Sequence, residues 1–337
     1  MTLIKYIGRR ILQMIPVLFG VLTLTFILSR FIPGDPVIAY LPLNHTTQQY
    51  LEMEEYLGLN DPIIVQYFNY MIDVFTGDWG LSSKIGKKIP VWTIIWDRLP
   101  RTIDLSFFSI LIASYLGIKI GKISAVNRNK WKDTLSRGFA LIGVSMPVFW
   151  LGMILRYIFS TELGLLPGTN YFGAIGHPPT ITGFRLIDSL LSGKIYLAID
   201  YLQHLALPVA CLSIITVASI VRQTRSSMLE VLQQDYVRTA RAKGCKEKDV
   251  INSHALKNAL IPTVTVIGLS FGSLLSGAVL TETTFNLHGI GELVIDAINL
   301  FDYYVLNAVI FFIAFVFIAI NLITDLLYGF IDPRIKY

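Results

Sequence analysis

Long runs of apolar residues recur along the whole chain, separated by polar stretches. A helix needs about 20 apolar residues to cross the roughly 30 Å hydrocarbon core of a bilayer. Six runs approach this length, and none alternates between apolar and polar positions as a strand of a membrane barrel does. We therefore predict six membrane-spanning helices. Their predicted bounds are Ile11–Leu28, Thr102–Ile120, Phe139–Phe159, Leu205–Val221, Thr263–Leu280 and Val305–Leu327.

Composition supports an integral membrane protein. Hydrophobic residues make up 53% of the chain and charged residues 15%, and the mean hydropathy is +0.59. Soluble domains carry about 25% charged residues. A length of 337 residues would allow two soluble domains, but apolar runs along the whole chain favour one bundle. The predicted fold class is an all-α polytopic membrane protein.

The distribution of basic residues predicts the orientation. Nineteen of the 28 lysines and arginines lie before the first span, from the end of the second span (Lys119) to the start of the third, between the fourth and fifth, or after the last. By the positive-inside rule, these regions and both termini are cytoplasmic. The first span is longer than the apolar part of a typical signal peptide, so we expect it to be retained. The predicted organisation is a cytoplasmic N-terminus with the first helix (1–30), an extracytoplasmic segment (31–100), a five-helix core (101–330) with a cytoplasmic loop (222–261), and a cytoplasmic tail (331–337).

Familiar catalytic patterns are missing from the sequence. None of the five histidines has a second histidine or cysteine at metal-ligand spacing, so we expect no metal site. The stretch GLSSKIGKK (80–88) only approximates a phosphate-binding loop and falls on the predicted outer side. No series of carboxylates lies at mid-depth in the spans, which argues against an ion-coupled carrier. Lys119, Arg222 and Arg225 are predicted to extend from span ends into cytoplasmic water.

Small residues follow a regular spacing in the fifth predicted span. Gly268, Gly272 and Ser276 are four residues apart, and Ser273 and Gly277 form an adjacent row. This spacing lets helix backbones approach closely. The row could serve packing within the chain, or it could line a subunit interface or a transport pathway; the sequence leaves both possibilities open.

The loop 222–261 has the pattern of two helices separated by a glycine. Apolar positions at helical spacing precede Gly244, which can adopt the left-handed conformation that ends a helix. A second helix is predicted from near Glu247 to Pro262, where the fifth span begins. The positive-inside rule or anionic lipid would explain the basic charge of this loop, but neither explains the glycine between patterned helices. The pattern predicts a shaped surface that docks into a groove of another protein.

Several stretches together resemble one family over essentially the whole chain. They are RFIPGDP (30–36), LGLNDPIIVQY (57–67), GDWGLSS (77–83), RLPRTIDLS (98–106), SMPVFWLG (145–152), DYVRTARAKG (235–244), HALKNALIP (254–262) and DPRIKY (332–337). They resemble the permeases of ATP-binding-cassette importers of the dipeptide and oligopeptide type. The long segment before the second span is similar to that of the first of the two permeases in such systems.

This resemblance implies the type I importer transmembrane fold and a non-catalytic role in the prokaryotic cytoplasmic membrane. Implied partners are a second permease, two cytosolic ATPases, a solute-binding protein and the lipid bilayer, with no nucleic acid. The chain itself would bind no cofactor, since ATP and Mg would lie on the ATPases. The implied ATPase-docking residues are Asp235, Tyr236, Arg238, Thr239, Ala240, Arg241, Ala242, Lys243, Gly244, His254 and Asn258. The residues implied for contact with the binding protein or for an outer gate are Glu282, His288, Gly289, Gly291 and Asp302.

Three positions depart from the family pattern. Lys246 stands where related permeases often have a serine or threonine cap for the second loop helix. His288 and Phe301 replace a common proline and arginine in the last outer loop. Peptide is the leading substrate, with nickel complexes, glutathione and oligosaccharides as alternatives within the same class. A secondary carrier and a membrane receptor without transport remain as more distant alternatives.

Overall fold

The computed structural model describes residues 3–31, 35–42, 44–174, 176–276 and 278–331. This part of the chain is helical, and its only β-type pairing is an isolated bridge between Leu81 and Pro90. The helices are α1 (Leu3–Phe31), α2 (Pro36–Tyr40), α3 (Thr47–Tyr56), α4 (Ile63–Thr76), α5 (Val91–Val126), α6 (Trp131–Ser145), α7 (Val148–Arg156), α8 (Arg185–Leu191), α9 (Ile195–Val231), α10 (Asp235–Ala242), α11 (Glu247–Asp249), α12 (Lys257–Leu275), α13 (Val279–Phe285), α14 (Ile290–Asn299) and α15 (Tyr303–Ile331). Two π-helical segments, Tyr157–Glu162 and Val250–Leu256, continue α7 and α11.

Five helical stretches are long and apolar enough to cross a bilayer: Gly8–Ser29, Val91–Val126, Ile195–Val231, Glu247–Leu275 and Tyr303–Thr324. They contain five of the predicted apolar runs, apart from a few residues at the ends of the last two. A sixth crossing exists only if the pair Trp131–Ser145 and Val148–Glu162 forms one broken span.

The third predicted span is not a continuous helix. The axes of α6 and α7 differ by 101°, and Met146 at the break has extended dihedral angles (φ −87°, ψ 131°). Pro147 lacks a backbone N–H, and its ring disfavours a helical conformation for the residue before it. The expectation of one straight helix over Phe139–Phe159 is therefore wrong at this proline.

Helix α9 lies at the centre of the bundle and contacts α5, α6, α7, α8, α12 and α13. Its closest neighbour is α5, which approaches it through two glycines four residues apart. A Cβ atom on Gly117 would lie 2.6 Å from Ile220 Cγ2, and one on Gly121 would lie 2.9 Å from the Val221 carbonyl oxygen. Only glycine permits this spacing between the two helices.

A partly buried ion pair joins α6 to the C-terminal part of α9. Arg225 donates from Nε and Nη2 to the two carboxylate oxygens of Asp133 at 2.8 and 2.9 Å. Asp133 is fully buried and also accepts from the Ser124 hydroxyl at 2.6 Å and the Asn129 amide at 3.0 Å. Arg225 therefore pairs with a carboxylate of its own chain while 22% of its side chain stays exposed, and its extension into cytoplasmic water stays a prediction.

The segment between α1 and α5 folds into α2, α3, α4 and a short turn region. Asp35 caps α2, Thr46 and Gln49 form a capping box at α3, and Gly77 ends α4 in the left-handed conformation. α3 has no buried residue, whereas α4 packs on Leu22 of α1. Within this segment, α3 is therefore exposed and α4 packs against the membrane bundle.

The substitution Gly121→Ala tests the α5–α9 contact. The new Cβ would meet backbone on α9, which cannot rotate away as a side chain could. We expect a loss of about 1–3 kcal/mol in stability, measured as the thermal unfolding midpoint in detergent.

Gly138→Ala is the matched control because a Cβ at that helical glycine would have nothing within 4 Å. Alanine favours a helix over glycine by about 0.5–1 kcal/mol, so this variant should be at least as stable as the parent. A Gly121→Ala protein as stable as the control would contradict the assigned packing.

Candidate functional site

The loop between α9 and α12 forms a compact helical unit. The predicted first helix of this loop is in fact two, because α9 ends at Val231 and α10 begins at Asp235. After α10 the chain turns at Gly244, whose φ of +78° lies in the left-handed region as predicted. The second helix starts at Glu247 and continues through the π-helical segment into α12, so the unit is covalently continuous with two long helices.

A small apolar cluster holds α10 against the second helix. Val237 and Val250 are fully buried, and Val231 and Leu232 pack beside them. Ala240 belongs to this cluster and is 7% exposed, so it faces its own chain in this structure. The other ten predicted docking residues are exposed. They are Asp235, Tyr236, Arg238, Thr239, Arg241, Ala242, Lys243, Gly244, His254 and Asn258.

Polar contacts across the glycine turn fix the angle between the helices. Arg241 donates to both carboxylate oxygens of Glu247 at 3.1 and 2.8 Å, and this contact raises the pKa of Arg241. Asn258 donates to the Tyr236 hydroxyl at 2.9 Å. Lys246 precedes α11 without a side-chain cap, as expected from a residue with no acceptor. The Arg241–Glu247 pair therefore closes the turn next to this uncapped helix start.

The base of this unit is joined to the membrane helices. Met228, Ala255 and Ala259 are fully buried together with Ala125 near the end of α5. Lys122 of α5 also donates to the side-chain oxygen of Asn252 at 3.1 Å. A displacement of the unit would therefore act on α5 as well as on α9 and α12.

The small-residue row in α12 serves two different surfaces. A Cβ on Gly268 would overlap Thr324, and one on Gly272 would lie 3.3 Å from Ile320 Cγ2, so both glycines pack against α15 within the chain. The Ser276 hydroxyl donates to the Gly272 carbonyl at 2.6 Å. Ser273 differs because it is exposed and faces away from this contact. Gly277 lies outside the described residues.

Ser273 lines an open groove between α9 and α12. Two adjoining hollows of about 340 and 400 Å³ make up the groove. Its hydroxyl-bearing lining residues are Thr216, Ser219, Ser270, Ser273 and Thr281. Arg222 and Gln223 also line the hollow of about 400 Å³. Apolar side chains such as Ile215, Leu269 and Leu274 form most of the remaining lining, so the groove is a largely apolar surface with hydroxyls set into it.

The predicted outer residues Glu282, Gly289 and Gly291 meet in one buried cluster. The Glu282 carboxylate accepts from the Thr102 hydroxyl at 2.7 Å and from the Gly291 amide at 2.7 Å. A Cβ on Gly289 would overlap this carboxylate, and one on Gly291 would lie 2.8 Å from Val279 Cα. Burial raises the pKa of Glu282, while its hydrogen-bond donors act in the opposite direction. The cluster fastens α13 to the start of α14 and to α5.

His288 lies at the surface of the same cluster. Its backbone amide donates to Glu292 Oε2 at 2.7 Å, and its ring Nδ1 is 3.2 Å from Glu292 Oε1. Arg101 donates to the His288 carbonyl at 2.8 Å and stacks over the Tyr171 ring at 4.1 Å. His288 therefore joins the loop after α13 to the N-terminal part of α5.

Asp302 belongs to a separate site before α15. It is fully buried and accepts from the Ser82 hydroxyl at 2.6 Å and the Lys84 amide at 3.0 Å. Sequence inspection could not pair these positions, which lie more than 200 residues apart. In this structure Asp302 holds the turn at Ser82 and Lys84 onto the core and is not itself exposed. Within the described ranges, no group of three His, Cys, Asp or Glu side chains is placed to hold a metal ion.

Comparison with solved structures shows a known membrane fold. A chain of the MetNI methionine ABC transporter, in an inward-facing conformation, superposes with a TM-score of 0.55. The match covers 71% of this chain and 97% of that chain at 14% identity. The described part of the chain therefore shares the fold of that chain.

Family models then assign the chain more closely. Residues 105–337 match the model of the binding-protein-dependent transport system inner membrane component, and residues 3–106 match its N-terminal membrane component. The protein belongs to this family of multi-pass membrane proteins, as its sequence motifs predicted.

Two relatives are similar over nearly their full length. The dipeptide transport system permease protein DppB of Alkalihalophilus pseudofirmus is 45% identical over 99% of this chain and 100% of its own. The protein of the same name from Escherichia coli K12 is 41% identical, with 99% of each chain covered. The resemblance to the dipeptide type of permease is thus confirmed.

The Arg241–Glu247 contact can be tested with Arg241→Gln. Loss of the pair should destabilise the turn by about 0.2–1 kcal/mol, the range for a surface ion pair. Hydrogen exchange of the amides from 241 to 249 should become a few-fold faster.

Lys243→Gln removes the same charge from the same turn, where Lys243 has no ion pair among the described contacts. It should leave exchange nearly unchanged. Equal exchange in the two variants would mean that the ion pair does not fix the turn.

Proposed function

We propose that this protein is a permease subunit of an ATP-driven importer that moves dipeptides or oligopeptides delivered by a solute-binding protein. The exposed helical unit at Gly244, rigidly joined to α5, α9 and α12, carries the proposal. The relatives named for dipeptide transport favour peptides over nickel complexes, glutathione or oligosaccharides. Their similarity covers the core and the outer segment alike.

The proposed topology has six spans with both termini in the cytoplasm of a prokaryotic cell. The broken pair α6 and α7 counts as the third span, and its bend then lies within the membrane region. The location of nineteen basic residues on one side supports this orientation. With this orientation, the unit at Gly244 faces the cytoplasm, and α14 and the 31–100 segment lie toward the opposite side.

We propose that the unit at Gly244 docks into a groove of a cytosolic ATPase. Its exposed face carries Arg238, Arg241 and Lys243, which suit an acidic rim on a partner. ATP and Mg would be bound by two ATPases, so that this chain needs no cofactor and performs no hydrolysis. Closure of the ATPases would displace the docked unit, and the buried cluster at Met228 would transmit this motion to the spans.

The groove between α9 and α12 is the proposed wall of the translocation path. Hydroxyls such as those of Ser219 and Ser273 can exchange hydrogen bonds with any peptide backbone, so they favour a class of substrate without selecting a sequence. A second permease would close the open side of the groove. The path would then lie between two chains and would open to either side as they rock.

On the outer side, His288 is the proposed contact for the binding protein, since it is the partly exposed member of the predicted set. Glu282, Gly289, Gly291 and Asp302 would act from inside, by holding the outer loops in a defined shape. Such buried supports suit a gate that must return to one closed geometry.

Reconstitution tests the class of activity. The purified chain should show no ATPase activity alone, and proteoliposomes should take up peptide only when the second permease, both ATPases, the binding protein and ATP are present. Sustained uptake by this chain alone, or uptake driven by an ion gradient without nucleotide, would refute the proposal.

Gly244→Val tests the docking unit. A β-branched residue at φ +78° is strained by about 1–2 kcal/mol, although its Cβ would meet nothing within 4 Å. We expect co-purification of the ATPase to fall about 5- to 30-fold, because that strain would shift the turn out of its docking geometry.

Gly164→Val is the control, since Gly164 has a φ of +60° and equally open surroundings in the loop after α7. It should insert into the membrane and retain the ATPase. Undiminished co-purification with Gly244→Val would remove the assigned interface.

Ser273→Trp tests the pathway. The large side chain would fill part of the groove, so peptide uptake should fall at least several-fold while ATPase co-purification is retained. Ser145→Trp places the same side chain on an exposed serine outside the groove lining and should preserve uptake. Equal uptake by both variants would exclude this groove from the path.

A further inference from the structure

Helix α4 lies in the segment 31–100. At 3.6 residues per turn, its side chains fall into three arcs around the helix axis. The first arc packs into a cluster with Leu22 of α1 and Phe311 of α15, and contains Tyr67, Tyr70, Met71 and Val74. The second arc is apolar and exposed, and contains Ile64, Val65, Phe68, Ile72 and Phe75. The third is polar, and contains Gln66, Asn69, Asp73 and Thr76. The helix thus has a packed face, an uncovered apolar face and a wetted face.

The uncovered apolar face is substantial. Its five side chains are between 42% and 73% exposed, with Phe68 at 60% and Phe75 at 73%. Contiguous apolar surface of this kind is rarely left to water in a stable protein. The neighbouring helix α3 has no such face and carries polar side chains such as Gln48 and Glu52, which hydrogen-bond to each other. The two helices of one segment are therefore built for different surroundings.

Contacts with α1 fix the depth of α4. The Tyr67 hydroxyl lies 2.8 Å from the Thr23 hydroxyl, and the Tyr67 ring meets the edges of Phe19 and Phe26. Thr23 lies six residues before the end of the membrane-crossing stretch at Ser29, which is about 9 Å along a helix. The buried face of α4 therefore rests beside the membrane-crossing part of α1.

Apolar side chains of α1 are exposed as well. Phe19, Leu24 and Leu28 are 50%, 60% and 55% exposed on α1, within its membrane-crossing stretch. Such side chains contact acyl chains when the helix crosses a bilayer. A helix packed against the same stretch, with an apolar face beside a polar one, has the pattern of an interfacial amphipathic helix.

We propose that α4 is embedded in one leaflet of the bilayer, with the arc around Phe68 in contact with acyl chains and the arc around Asn69 facing water. With the orientation proposed above, this is the outer leaflet. The segment 31–100 is then partly a membrane element, which anchors the outer face of the permease beside α1. The assignment to the outer leaflet rests on the topology given under the proposed function. The contact with lipid rests only on the packing of α4 against the membrane-crossing stretch of α1.

Site-directed spin labelling tests this placement in the full chain in lipid nanodiscs. Cys211 is buried and Cys245 exposed, so Cys245→Ser gives a suitable background. Labels are introduced through Phe68→Cys and Ile72→Cys, with Asn69→Cys on the adjacent polar arc and Gln48→Cys on α3 as matched controls. Relaxation by oxygen, which concentrates in lipid, is compared with relaxation by a water-soluble nickel chelate.

We expect the ratio of oxygen to nickel accessibility to be several-fold higher at Phe68 and Ile72 than at Gln48, with Asn69 close to Gln48. A nickel-dominated signal at Phe68 and Ile72 would place the arc in water and overturn the proposal. Low accessibility to both reagents would indicate a protein cover and would overturn it equally. Neither peptide nor ATPase enters this measurement, so its outcome is independent of the uptake experiment.

Discussion

The close packing of α5 on α9 is the contact on which the rest of the structure depends. Gly117 and Gly121 bring the two backbones together, and α9 then supports α6, α7, α8, α12 and α13 around it. At one end, α9 leads into the helical unit at Gly244, and along one side it forms the groove with α12. A larger distance between α5 and α9 would disturb the base of the helical unit at Gly244, because Ala125 of α5 is buried in the cluster at that base.

Three buried carboxylates, those of Asp133, Glu282 and Asp302, lie at or near helix starts, and each accepts hydrogen bonds from its own chain. Asp133 fastens the start of α6 to α5 and α9, Glu282 accepts backbone amides at the start of α14, and Asp302 precedes α15. Helix starts leave amide donors without partners, and a negative group there satisfies them and the helix dipole. These residues therefore act as joints between helices, which explains why they are acidic without being candidates for ion coupling.

Much of the fold and of the site could be predicted from local signals. Apolar runs locate the spans, and Gly244 marks a turn because a left-handed residue is needed between two patterned helices. Pro147 was equally visible, but proline alone does not specify a break: Pro100, Pro208 and Pro262 lie inside continuous helices. The pairing of Asp133 with Arg225, 92 residues apart, depends on tertiary packing that no local pattern contains.

Small residues at four-residue spacing can also be interpreted only when the element packed against them is known. The row in α12 contains residues with different tasks: Gly268 packs on α15, while Ser273 lines the groove. The pair Gly117 and Gly121 has the same spacing in α5 and forms the central contact, although its sequence is no more distinctive. Spacing identifies a face that permits close approach, but only the neighbouring side chains decide whether a helix, a substrate or water occupies it.

The outer segment shows the same dependence on surroundings. The distribution of basic residues along the chain predicts that the segment 31–100 is extracytoplasmic. The 14 residues of α4 within it are too few to span a bilayer. Length, however, measures the ability to cross a membrane and not the ability to lie in it. What distinguishes α4 is the arrangement of apolar and polar arcs around its axis, combined with a buried face fitted to α1. A hydrophobic helix that is too short to span a bilayer can still lie within one leaflet. Its role becomes clear only when the surroundings of each of its faces are known.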